Sequence, residues 1–281
     1  MEKSKIRSLY LYVGLAYLIT WVLWIAAFLL GYKDISFLNI LNWDFNNQSS
    51  VISFLIFRLG VYGPIISSFV ITYYYFKSEG LKNLWKRIIK WNVEIKWYLY
   101  MLLIPILINL AVVLIGIIIG IPFDSFFKSE LPISIILIYF LYQIFTSGME
   151  EPGWRGFLLE KLQKIYSAEK SSWILGLVWA VWHYPYLLFL YSKLDLISII
   201  FSIAGFTMAI IGQTFIITWF YNNTKSIFIT ILLHAWLNTS TTYILGNITI
   251  VNPVMGVIPA LVTWGIVFIL LKRYGGETLT V

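Results

Sequence analysis

Two adjacent glutamates, an arginine, two histidines and an asparagine are set into a chain that is only 12% charged. Glu150, Glu151 and Arg155 lie in SGMEEPGWRGFLLEKL, residues 147–162; His183 lies in GLVWAVWHYPYLLFL; His234 and Asn238 lie in LLHAWLNTS. Ionisable groups flanked by apolar sequence are costly to hold at membrane depth and are functional candidates for that reason. The set suits water attack on an amide, which needs a base for the water, a group to orient it, and donors where charge grows on the carbonyl oxygen. Glu150 can act as the base, and His183 can share or orient the water. His234 and Asn238, four residues apart and so on one face of a helix, can hold the oxyanion.

Each position also has a structural reading. On a continuous helix Glu151 and Arg155 are i,i+4 neighbours that pair, while Glu150 points about 100° away. That division makes Glu151 and Arg155 a structural ion pair and leaves Glu150 as a carboxylate for chemistry. Pro152 disfavours helical geometry at Glu151, so a solvated loop, a kink, or a new helix with Pro152 at its first position are all compatible with the stretch. His183, in mid-span with Trp179 one turn before it, reads either as a packed core residue or as a proton carrier near neutrality. His234 with Asn238 reads as interhelical glue or as a donor pair. The chain has 2 histidines, and both are expected inside the membrane, which favours function. Arg58, in FRLGVYGP, is expected to be structural, pairing with a carboxylate or snorkelling to an interface. Gln143 and Gln213 are expected to hydrogen-bond between helices, and the 13 tryptophans to serve mainly as interfacial anchors and packing.

The elements that must position these groups follow from composition. The 281 residues are 60% hydrophobic and 19% aromatic, with a mean hydropathy of +0.83, far from an ordinary soluble domain. An apolar bilayer core about 30 Å thick needs about 20 apolar residues per helix. By that measure there are about eight candidate spans, near 9–31, 52–76, 97–120, 131–149, 172–191, 196–220, 227–247 and 253–271. The fold expected is therefore an all-α polytopic membrane protein with an intramembrane catalytic cavity, built as a single integral-membrane domain over 1–281. The first apolar run is longer than a signal-peptide core and is followed by no A-x-A-like site, so it is expected to be a retained helix.

Eight spans put both termini on one side. Sixteen of the 20 basic residues fall on that side, against Lys33, Lys128 and Lys193 on the other and Arg58 within the second span. The positive-inside rule then predicts cytoplasmic N- and C-termini in a multi-pass protein of the cell membrane. The net charge of +7 is accounted for by basic loops at an anionic leaflet, with membrane lipids as partners and no nucleic acid required. Residues 77–97, KSEGLKNLWKRIIKWNVEIKW, read as a basic amphipathic connector on that surface. With no cysteine, thiolate metal sites and a cysteine nucleophile are excluded.

Other intramembrane protease designs have no counterpart in the sequence: no H-E-x-x-H, no Gly-Asp aspartyl motif, no G-x-S-x-G elbow. A glutamate/histidine site is the hydrolytic option left. Within that option EEPGWRGFLL resembles the E-E-x-x-x-R motif of the CPBP family, which includes the type II CAAX prenyl proteases and bacteriocin-immunity-like relatives. WAVWH resembles its aromatic-x-x-x-His motif, with Trp179 where Phe is common, and HAWLN its His-x-x-x-Asn motif. The three occur in the family's order within a core of about 133–250. The resemblance implies an intramembrane endopeptidase with Glu150 and His183 activating water, His234 and Asn238 as oxyanion partners, and Glu151 and Arg155 as further motif positions. It also implies a peptide or prenylated protein substrate, cut near its C-terminus. No cofactor is expected; if a metal such as Zn²⁺ were held, Glu150, His183 and His234 would be the ligands. The competing readings are a proton-coupled transporter and a non-catalytic immunity or binding protein on the same scaffold.

Overall fold

The computed structural model describes residues 2–33, 37–41, 48–129, 131–246, 248 and 253–281. Among them there is no strand. The helices are α1 (Glu2–Leu29), α2 (Phe37–Leu41), α3 (Gln48–Val61), α4 (Gly63–Ile88), α5 (Ile95–Ile118), α6 (Ile136–Phe145), α7 (Glu151–Gly153), α8 (Glu160–Leu162), α9 (Ala168–Trp182), α10 (Tyr184–Leu190), α11 (Leu196–Thr224), α12 (Ile227–Ile244) and α13 (Pro253–Tyr274). Short 3₁₀ turns and one π-helical turn link several of them.

Five stretches are long and apolar enough to cross a bilayer alone: Ile6–Leu29, Ile95–Ile118, Ile133–Leu162, Leu196–Thr224 and Met255–Tyr274. Two bent pairs, α3 with α4 and α9 with α10, each turning by 46°, bring the number to as many as seven. The remaining expected span, 227–247, is helical as α12. Its 18 residues rise about 27 Å, but its second half, NTSTT, is polar, and it is not among the apolar seven. The polytopic all-α architecture stands, and the helix that carries His234 and Asn238 lies outside its set of long apolar spans.

The first helix is built into the bundle. Tyr12, Ala16, Thr20 and Trp24, spaced by four, form a buried stripe, the period that keeps one helix face against a neighbour. The stripe is pinned on both sides. Thr20 Oγ1 donates to the Gly60 carbonyl at 2.7 Å and Trp24 Nε1 to the Phe57 carbonyl at 3.0 Å, both on α3. Trp21 Nε1 donates to the Trp182 carbonyl at 3.0 Å, and Trp182 Nε1 returns a bond to Thr20 Oγ1 at 2.9 Å, tying α1 to α9.

The basic connector begins as the continuation of α4. α4 kinks at Lys77 (φ 52°, ψ −154°) and stays helical to Ile88. From there Arg87 Nη2 reaches the Gly156 carbonyl at 3.0 Å, and Lys90 Nζ the Thr224 carbonyl at the end of α11 at 2.7 Å. The last carbonyls of a helix have no acceptor role within it and carry the negative end of its dipole, so a cation is drawn there.

Candidate active site

The span that carries the two glutamates is broken and restarted. α6 ends at Thr146 (φ −109°, ψ −94°); a 3₁₀ turn covers Ser147–Glu150, and helical geometry resumes at Glu151 with Pro152 in the first turn. A proline there costs little, because an N–H at that place would have no intrahelical acceptor. Of the readings left open by the sequence, the new helix is the one adopted, and the solvated loop is not: Glu150 is 4% exposed, and Glu151 and Arg155 are 0% exposed. Gly153 allows this packing. A β-carbon there would sit 2.5 Å from both the Pro64 carbonyl oxygen and the Tyr12 hydroxyl.

Helical spacing across 151–155 gives the expected ion pair, Arg155 Nη1 to Glu151 Oε1 at 2.9 Å. The same oxygen accepts His234 Nδ1 at 2.9 Å, across 83 residues of sequence. Glu151 therefore joins the first motif to α12 as well as to its own helix. Glu151 Oε2, Arg155 Nε and Arg155 Nη2 are buried without a hydrogen-bond partner among the described residues.

Glu150 faces elsewhere, as the 100° offset requires. Its Oε2 accepts two indole N–H groups, Trp179 Nε1 at 2.7 Å and Trp154 Nε1 at 3.2 Å. Trp179 also meets Arg155, His234 and His183. Arg155 stacks on its face at 4.6 Å, the His234 ring meets it at 5.1 Å and 80°, and its backbone carbonyl accepts His183 Nδ1 at 2.8 Å. The tryptophans were expected mainly as anchors and packing. Trp154 and Trp179 are instead buried hydrogen-bond donors to a carboxylate, a role that the demand of a buried indole N–H for a partner points to.

His183 is placed at a break, where the sequence suggested mid-span. It caps the end of α9 and the start of α10, with Pro185 in the first turn of α10. Pro185 lacks the N–H that would continue the ladder and crowds the preceding turn, so the axis bends there. The bend leaves the imidazole half-buried, against Trp182 at 4.6 Å and Phe206 at 5.2 Å. A carbonyl only accepts, so His183 Nδ1 carries hydrogen and Nε2 is left as the acceptor. The same reasoning holds for His234, whose Nδ1 meets a carboxylate already paired with a guanidinium. With hydrogen on both ring nitrogens His234 is a donor at Nε2 as well.

Asn238 is half-buried one turn beyond His234, and its carboxamide makes no hydrogen bond among the described residues, while its backbone carbonyl accepts Thr242 Oγ1 at 2.9 Å. Three other expectations change. Arg58 has no carboxylate partner among the described residues; it sits over the rings of Phe54 (5.0 Å), Tyr142 (5.3 Å) and Phe57 (5.9 Å), since aromatic faces offer a cation a weakly hydrated partner. Gln143 bonds within its own segment, to the Tyr139 hydroxyl at 2.7 Å and the Ser147 hydroxyl at 2.9 Å, because the end of α6 supplies partners first. Gln213 makes no side-chain hydrogen bond among the described residues. Tyr12 was not legible as a site neighbour. Its buried hydroxyl lies against Gly153, and its ring meets Trp154 edge-on at 6.0 Å.

Among the described residues no three His, Cys, Asp or Glu side chains are placed to hold one metal ion. Glu150 Oε2 is turned to the two indoles, so the set Glu150, His183 and His234 does not fit as a ligand cage as it stands.

Comparison with known proteins agrees with the motif reading. Residues 132–240, which contain all three motifs, match the family described as type II CAAX prenyl endopeptidase Rce1-like. The chain is also similar to CAAX prenyl protease 2 of Methanococcus maripaludis, 27% identical over 246 residues, an alignment covering 81% of this chain and 82% of the relative. The resemblance to the CPBP family drawn from Glu150, His183, His234 and their neighbours is borne out by these matches.

Proposed function

We propose, from the match of residues 132–240 to the Rce1-like family, that this protein hydrolyses a peptide bond near the C-terminus of a prenylated or otherwise membrane-associated protein. The endopeptidase class rests on that match; the substrate and the residue roles are our reading. The observation that carries the roles is the junction of three distant motifs around Trp179, with one carboxylate turned to indole donors and the other to Arg155 and His234.

In this reading Glu150 takes a proton from a water that His183 Nε2 also orients. The water oxygen adds to the scissile carbonyl carbon, and the charge that develops on the carbonyl oxygen is met by Asn238 and by His234 as the imidazolium. Collapse of the tetrahedral intermediate breaks the C–N bond, and the proton held by Glu150 passes to the leaving amine. Glu151 takes no proton. It holds Arg155 and fixes the tautomer and orientation of His234, as a carboxylate behind a catalytic imidazole does. We take the reaction to need no metal, and the chain to lie in the cell membrane with both termini cytoplasmic. A proton-relay role is not favoured, since the carboxamide of Asn238 cannot titrate.

The test is cleavage of a quenched farnesylated C-terminal peptide by purified protein, with Glu150→Gln and a chelator arm in parallel. Activity that falls about 10²–10⁴-fold in the variant and survives chelation supports the assignment. No cleavage by folded wild type removes prenylated tails as the substrate, and loss on chelation removes the metal-free mechanism.

A further inference from the structure

A cleft of about 640 Å³ separates the far end of α4 from residues 156–164. Its floor is the π-helical turn Trp154–Leu159, which continues the helix bearing Glu151 and Arg155, and its wall is the basic end of α4.

Charge in the cleft is unbalanced. Lys86, Arg87, Lys161 and Lys164 line it against Glu79 and Glu160. Glu160 is already held, by the Tyr221 hydroxyl at 2.6 Å and by Arg87 at 3.6 Å. Lys161 lies 3.5 Å over the Phe76 ring. Lys86 and Lys164 are exposed and have no ion pair among the described residues.

Position narrows the ligand. Residues 63–76 of α4 carry no charge, whereas 77–90 carry Lys77, Glu79, Lys82, Lys86, Arg87 and Lys90. The kink at Lys77 marks that boundary, and the cleft straddles it, from Thr72 and Phe76 on the apolar side to Lys86 and Arg87 beyond. A soluble anion needs only the charged half. A molecule with an anionic head and an apolar tail matches both halves, and basic pockets between helices at this level suit lipid headgroups.

We propose that this cleft binds the phosphodiester headgroup of an anionic phospholipid, with Lys86 and Lys164 as its principal cationic contacts. This does not depend on the peptidase reading. The test titrates the full-length protein in neutral detergent with dioctanoyl phosphatidylglycerol, dioctanoyl phosphatidylcholine or inorganic phosphate. Bound lipid is read by native mass spectrometry and the unfolding midpoint by a thermal scan. Lys86→Gln/Lys164→Gln is compared with Lys33→Gln/Lys193→Gln, an equal charge loss on the other face. The expected result is one tightly held phosphatidylglycerol, with affinity reduced about 30-fold in the cleft variant, at about fivefold per lysine near an anionic headgroup, and unchanged in the control. Equal binding of phosphatidylcholine, or an equal loss in the control, overturns the proposal. Inorganic phosphate binding as tightly as the lipid also overturns it, by making this a site for a free anion.

Discussion

Trp179→Phe isolates the contribution of one hydrogen bond to the reactivity of Glu150. The substitution keeps an aromatic ring under Arg155 and keeps the backbone carbonyl that holds His183, but deletes the N–H that meets Glu150 Oε2 at 2.7 Å. What remains on that oxygen is Trp154 Nε1 at the longer distance of 3.2 Å. A hydrogen bond to a buried charged group contributes about 1.5–3 kcal/mol, so kcat should fall about 10- to 150-fold, with KM within about twofold, because in the proposed mechanism the carboxylate acts on water and not on substrate. The assay is steady-state hydrolysis of the quenched peptide. Trp182→Phe serves as the comparator. It removes the same atoms from the same helix, but its indole N–H donates to Thr20 Oγ1 and not to the site. It should lower the unfolding midpoint with little effect on kcat. If Trp179→Phe leaves kcat within twofold of wild type, or Trp182→Phe loses as much, the indole does not position the base.

Glu151→Gln should cost stability first. It leaves Arg155, 0% exposed, without its countercharge, a loss of about 3–5 kcal/mol visible as reduced yield and unfolding midpoint; a stable but inactive variant would place Glu151 in the chemistry instead. Asn238→Ala should leave the unfolding midpoint unchanged and lower kcat about 10²–10³-fold, since its carboxamide meets no protein group among the described residues. Gly153→Ala should destabilise by about 1–3 kcal/mol, read by thermal scan in detergent, because a β-carbon there meets a backbone carbonyl that cannot move aside cheaply.

Local spacing carried much of this site. The Glu151–Arg155 pair follows from i,i+4 geometry, and the opposed directions of Glu150 and Glu151 follow from 100° per residue. The bend at His183 was signalled by Pro185, two residues on, although its consequence for the imidazole is a matter of packing. Contacts between distant segments were not legible: nothing in HAWLN says that His234 meets Glu151, and nothing near Glu150 says that Trp179 donates to it. Arg58 shows the same limit, since a search for carboxylate partners overlooks aromatic ones. The span count shows another, because His234, Asn238 and the hydroxyl residues that follow them dilute the apolar run of α12.

The π-helical turn at Trp154–Leu159 has a consequence for register. A π turn accommodates an extra residue within an otherwise α-helical run, so the segment has a neighbouring state in which that residue is reabsorbed. Such a slip would rotate α8 relative to Glu151 and Arg155 by about one residue, or 100°. Arg87 of α4 grips the Gly156 carbonyl inside the turn at 3.0 Å and reaches toward Glu160 just after it at 3.6 Å. These two contacts tie both ends of the turn to α4, so that Glu150, Glu151 and the basic connector keep a fixed angular relation.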